Sequence, residues 1–140
     1  MDRKKKRSLF GTFRGFINIC LDTGGAGALH KIVDEKVFGF GTAIDEKIFG
    51  IREVRKLLNS QRKQGRGLVI KWKIKPVSRI ITADENTAVF ADDLHISIHA
   101  GKETVKMYIR FSVMLNYRND QWKVMHWQGS KPDQVESEKD

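Results

Sequence analysis

The chain is short of the residues that make covalent or metal frameworks. Its 140 residues include one cysteine, Cys20, and two prolines, Pro76 and Pro132. A single thiol excludes an internal disulfide network and a cysteine-based zinc site, and it fits a reducing, cytoplasmic compartment. No apolar run is long enough to span a bilayer. Arg14 and Gly15 interrupt the first one and Asp22 ends it, which also argues against a signal peptide. No internal repeat is present. Acids are in the minority, 17 against 26 Lys and Arg, for a net charge of +9. Arg3, Lys4, Lys5, Lys6 and Arg7 against Asp2 supply part of that excess, so residues 1–7 read as a solvated basic tail. Contact of this tail with nucleic acid or an anionic membrane is the alternative reading.

What is present suits one real core. Forty per cent of the residues are hydrophobic, with three Trp and eight Phe, which excludes a disordered chain. A single domain is expected over 8–132, followed by a polar tail over 133–140. Leu9, Phe13, Phe16, Ile17, Cys20 and Leu21 recur at helical spacing, predicting a helix over 8–21. The glycine-rich stretch 23–27 stops it and reads as a turn between two helices; with no Lys-Ser/Thr behind it, a phosphate-binding loop is not expected. A second short helix is expected to end near Lys36, with a short strand from Val37 into a loop at Thr42. A third helix follows over 50–64, with Ile51, Val54, Leu57 and Leu58 on one face.

After Gly67 the period becomes two. Leu68, Ile70, Trp72 and Ile74 alternate with Val69, Lys71, Lys73 and Lys75; Pro76 bends the strand, which continues over 77–83. Further strands are expected over 87–99, 105–118 and 122–128. Helices followed by a run of strands predict an α+β domain, with the helices packed on a largely antiparallel sheet.

Turn length sets register, and register sets which side chains share a face. A two-residue turn at Gly101-Lys102 pairs Ile98 with Val105, Ile96 with Met107, Leu94 with Ile109, Asp92 with Phe111 and Phe90 with Val113. A two-residue turn at Asn119-Asp120 pairs Tyr117 with Trp122 and Leu115 with Val124. Carried onward, it sets His126 opposite Val113 and Gln128 opposite Phe111. The inner face then holds three polar groups, Asp92, His126 and Gln128, and a polar group on a core face needs a partner or a ligand. A bulge at Asp92-Asp93 that turns Asp92 to solvent, and a satisfied core histidine at 126, are the structural alternatives. His95 and His99 share the opposite face with Asp93 and Ser97, which reads as a solvated face rather than a metal site.

Phe40-Gly41-Thr42, then Asp45-Glu46, then Gly50 opening a helix resemble the SnoaL-like branch of the nuclear transport factor 2-like superfamily. The ending agrees: Trp122-Lys123-Val124-Met125-His126-Trp127 followed by Ser130 and Pro132. It is similar also to the association domain of calcium/calmodulin-dependent kinase II, with Gln128 at the place of that domain's second alternating His. Gly24-Gly25 stands where the family has a charged loop. The resemblance covers about residues 10–132. It implies a cone-like, strongly curved mixed or antiparallel sheet wrapped on about three N-terminal helices, a pocket inside the cone and oligomers formed through the outer sheet face.

On that reading the chain is a non-catalytic module that binds a small organic molecule and dimerises, with no cofactor and no metal. Phe40, Trp72, Phe90, Phe111 and Trp122 are expected to line the cone, and Asp45, Asp92, His126 and Gln128 to orient the ligand. The outer face is expected to dimerise through Tyr108, Arg110, Ser112, Met114, Met125 and Trp127. The alternative is an isomerase, cyclase or dehydratase. Asp92 or Asp45 would then serve as base, with His126 or Tyr108 steadying the oxyanion. Lys71, Lys73 and Lys75 with Arg66 and Arg79 form a basic patch, but none of the familiar nucleic-acid reader motifs accompanies it.

Overall fold

The computed structural model describes residues 1–21, 28–65 and 67–132. The glycine-rich stretch 23–27, Arg66 and the polar tail from 133 onward lie outside the described residues. Helix α1 (Arg3–Leu21) is followed by a single turn, α2 (Leu29–Ile32), then strands β1 (Val33–Phe40) and β2 (Lys47–Phe49). Helix α3 (Ile51–Gln64) leads into four long strands: β3 (Val69–Ile81), β4 (Thr87–Ala100), β5 (Glu103–Arg118) and β6 (Gln121–Ser130). The six strands form one mixed sheet in the order β2-β1-β6-β5-β4-β3; β1 runs parallel to β6 and every other neighbour is antiparallel.

The basic head is not a tail. The Asp2 carboxylate accepts a 2.7 Å bond from the Lys5 backbone N–H, the geometry of an N-terminal cap, so the helix starts at Arg3. The Lys5 carbonyl accepts a 3.1 Å bond from the Trp122 indole, and the Lys5 ammonium sits 4.2 Å from the Tyr117 ring. The second helix is also shorter than expected. β-Branched Val33 opens a strand, which reaches Phe40 beside β6.

Leu9, Phe13, Phe16 and Ile17 bury the apolar stripe of α1 against the inner face of the sheet. Phe10 and Phe13 meet Phe90 at ring distances of 5.5 and 4.9 Å, and Phe16 meets Phe111 and Trp127 at 6.0 and 5.8 Å. Helix α3 buries Val54 and Leu58.

Both hairpin turns have the expected length, and β4 pairs with β5 in the expected register throughout. The bulges lie elsewhere. In β6, Leu115 pairs with Val124 but Met114 pairs with His126, so Met125 is an extra residue. Beyond it the faces exchange. Trp127, expected outside, is buried, while His126 and Gln128, expected inside, turn outward. The physical reason is burial: the extra residue lets both Trp122 and Trp127 enter the core, which strict alternation forbids. In β3, Pro76 pairs with Asp92 and Ser78 with Ala91, so Val77 is the extra residue and Arg79 leaves the outer basic face.

Trp127 lies across Gly39, its β1 neighbour, where a Cβ would overlap the indole. Gly39→Ala is therefore expected to cost about 1–3 kcal/mol by overpacking. Gly11→Ala has open space around it in α1 and is expected to stabilise by roughly 0.5–1 kcal/mol. Urea unfolding midpoints of the two variants should move in opposite directions; a neutral Gly39→Ala would show that the indole has room to shift.

Candidate functional site

Three places on this frame gather side chains with chemistry: a buried ion pair, an apolar cleft and the outer face of the sheet. The ion pair comes first because it accounts for Asp92, the one buried charged residue among the described residues, whose side chain is 2% exposed. The β3 bulge brings Arg79 to the same face, and its Nη2 donates to Asp92 Oδ2 at 2.8 Å. The guanidinium also lies 5.4, 5.5 and 4.8 Å from the rings of Phe10, Phe13 and Phe90. Three quadrupoles and a carboxylate thus hold one cation under α1.

The cleft opens where α1 ends. A cavity of about 390 Å³ and an adjoining one of about 130 Å³ share Cys20, Leu21, Thr42, Leu58, Gln61 and Ile109 as walls. Ile70, Ile96, Ile98 and Met107 floor the larger one, with Arg62 and Lys131 at its side. Phe111, Trp127 and Glu46 close the smaller one. A Cβ on Gly41 would run into the Glu46 side chain that folds over it, so a larger residue there would displace that side chain. Cys20 keeps some surface toward the cleft, but the apolar packing around it pushes its thiol up to about 12. The thiol therefore stays protonated at neutral pH and supplies neither charge nor nucleophile.

Of the residues expected to line the cone, only Phe111 lies on the cleft. Phe90 and Trp122 are closed in beneath α1, and half-buried Trp72 has the Arg14 guanidinium 5.7 Å from its ring. Asp45 is exposed in the loop before β2, and Phe40, His126 and Gln128 are on the outer face. Asp92 and His126 stand on opposite sides of the sheet, so they share no cavity. Cys20, Thr42, Glu46, Gln61 and Arg62 were missed. Their signal was indirect: Ile98 and Met107 continue the inner face past the end of the apolar stripe of α1.

On the outer face, His126 Nδ1 donates to the Phe38 carbonyl at 3.0 Å, and its ring sits 4.4 Å from that of Phe38 and 6.2 Å from that of Phe40. Tyr108, Arg110, Ser112 and Met114 share this face; Trp127 does not, and Met125 is the bulged residue. His99 Nδ1 is 3.0 Å from Thr104 Oγ1, and no group of three potential metal ligands occurs among the described residues.

The model of the SnoaL-like domain matches residues 13–134. The chain belongs to the SnoaL-like family. Solved structures share its fold at low identity. An NTF2-like protein of Pseudomonas putida has a TM-score of 0.70 at 13% identity, covering 98% of this chain and 93% of that one. The CaMKII hub of S. rosetta has a TM-score of 0.71 at 11% identity, covering 90% and 95%. A calcium/calmodulin-dependent protein kinase II association domain from Xanthomonas campestris has a TM-score of 0.68 at 15% identity, covering 96% and 91%. No curated protein matches. No helix among the described residues is long and apolar enough to cross a membrane.

Within this SnoaL-like domain the ion pair carries an asymmetry. Arg79→Ala strands the carboxylate of Asp92, whose side chain is 2% exposed, whereas Asp92→Ala leaves a guanidinium that is 27% exposed. We expect Arg79→Ala to cost about 3–5 kcal/mol and Asp92→Ala less, about 1–3 kcal/mol, in urea unfolding. The opposite order would mean that water reaches Asp92.

Proposed function

We propose that the chain is an association module whose outer sheet face pairs with a second copy of itself. The observation that carries this is a transverse row in register across all six strands: Ile80, Val89, Met114, His126, Phe38 and Phe49. Ile80, Val89, Phe38 and Phe49 are 37 to 61% exposed. The next row, Ser78, Ala91, Ser112, Gln128, Phe40 and Lys47, is small across β3, β4 and β5 and charged only at the β2 edge. A contiguous apolar belt of this kind is uncommon on a monomer, and a self-complementary face favours a two-fold pair. Met114 and Ser112 belong to the contact; Arg110 and Tyr108 lie at its margin. The fold shared with hub and association domains supports the same reading. Light scattering on a sizing column should give twice the chain mass for the wild type. Met114→Lys with Val89→Lys should give a folded monomer; an unchanged mass for this variant would rule the surface out.

The cleft favours a second property, the holding of a small, mainly apolar molecule. Its walls are Ile, Leu and Met with few polar groups, and its size is within the usual range for such sites. Glu46, Thr42 and Gln61 would orient the guest, with Arg62 and Lys131 available to an anionic end. The dye 1-anilinonaphthalene-8-sulfonate serves as probe. Its fluorescence should rise with native protein, and Leu58→Trp with Ile109→Trp should abolish the rise by filling the cleft. A signal that survives the filling would place the dye elsewhere. The Asp–His proton-transfer reading has no such support, since its two groups are separated by the sheet.

A further inference from the structure

The outer face carries a second surface, away from the apolar row. Three register rows cross β3, β4 and β5 there: Lys71, Ser97 and Lys106; Lys73, His95 and Tyr108; Lys75, Asp93 and Arg110. The β3 and β5 side chains stand two strand spacings apart, roughly 9.5 Å. Lys71 and Lys73 on one side and Lys106 and Tyr108 on the other form the walls of a groove of about 280 Å³, floored by Ser97 and His95, with Lys75 and Arg110 in the adjoining row. Tyr108 is 43% exposed, and its ring meets that of His95 edge to face at 4.7 Å. Among the described residues, none of the five Lys and Arg makes an ion pair, and Asp93 in the last row is the only acid of the three rows.

We propose that this groove binds single-stranded nucleic acid, with little regard to sequence. Cations on both walls, unneutralised by the protein, suit a backbone of phosphates. The exposed Tyr108 ring, braced by His95, suits stacking of an unpaired base. The spacing of the walls admits one strand; a duplex, whose major groove alone is about 12 Å wide, lies too broad to enter. The lysines of one strand recur about every 6.6 Å, so successive charges meet a chain laid along β3. The groove lies beyond the apolar row on the same face, with Arg110 and the groove's own Tyr108 between the two.

The test is fluorescence anisotropy of a labelled 15-nucleotide oligothymidylate with the full chain. Three phosphate contacts give a slope of about −2 in log K against log salt, so raising NaCl from 50 to 200 mM should weaken binding about twentyfold. Lys73→Glu with Lys106→Glu should weaken it more than tenfold, and Tyr108→Ala at least fivefold with the salt slope unchanged. Arg55→Glu with Lys56→Glu makes the same charge change on exposed α3 and should shift affinity less than twofold. Circular dichroism and a thermal melt establish that each variant is folded. Four results would overturn the proposal: no binding at 50 mM NaCl, an equal loss in the α3 variant, no effect of Tyr108→Ala, or equal competition by polyglutamate or by a duplex of the same length.

Discussion

A β-strand sends every second side chain to the same face, and the inner face of this sheet has room only for what α1 and α3 can cover. That constraint decides most of the structure. Strict alternation along β6 would put Trp122, Val124, His126 and Gln128 inside and leave Trp127 in water. Strict alternation along β3 would leave Asp92 buried without a countercharge. Each strand answers with one extra residue, Met125 in β6 and Val77 in β3. The first exchanges two polar side chains for an indole; the second delivers Arg79 to Asp92. A bulge loses local ladder pairing, but burying an indole or neutralising a buried carboxylate is worth more. Bulges also bend the strands that hold them, so the phase corrections and the curvature of the sheet have one origin.

This shows how far the sequence could be read. The two hairpin turns and the β4–β5 register follow from periodicity and turn chemistry, which are local, and they match the structure residue by residue; the element order holds apart from β2, a three-residue strand with no sequence signal, and the bounds differ at α1, α2 and β1. The β6 register failed at one residue, and every outward or inward assignment beyond Met125 failed with it. The warning was present: two polar side chains, His126 and Gln128, on a core face flanked by an excluded tryptophan. Such a pattern is a local conflict with the global fold, and a bulge is its cheapest resolution. Asp92 gave the converse signal. A lone acid on an apolar face implied a partner, and Arg79 was hidden as that partner only because Val77 shifts its phase. The head was misread for a different reason. Five basic residues look solvated, yet Asp2 caps the helix, and Lys5 reaches Trp122 through its backbone carbonyl, which carries no sequence signature.

The cleft was illegible for a reason of scale. It forms where coverage by α1 runs out before the β4–β5 hairpin does, so its walls come from α1, α3, the Thr42 loop and four strands. No single segment announces it. Its polar groups are few, and burial holds the Cys20 thiol protonated.

The fold is kept at 11 to 15% identity across the hub, association and NTF2-like structures, so the backbone arrangement asks little of most side chains. Inner-face residues are bound by packing, whereas outer-face residues answer to solvent or to a partner. Phe38, Phe49 and Ile80 contribute nothing to the core from where they stand, and solvation alone would favour polar groups in their place. Lys71, Lys73 and Lys106 repel one another across a narrow groove with little acid between them. Neither arrangement is what folding or solubility selects, and each would be relieved by contact, one with apolar surface and the other with negative charge. The face of the sheet that the helices do not cover is therefore where the side chains are least explained by the fold itself.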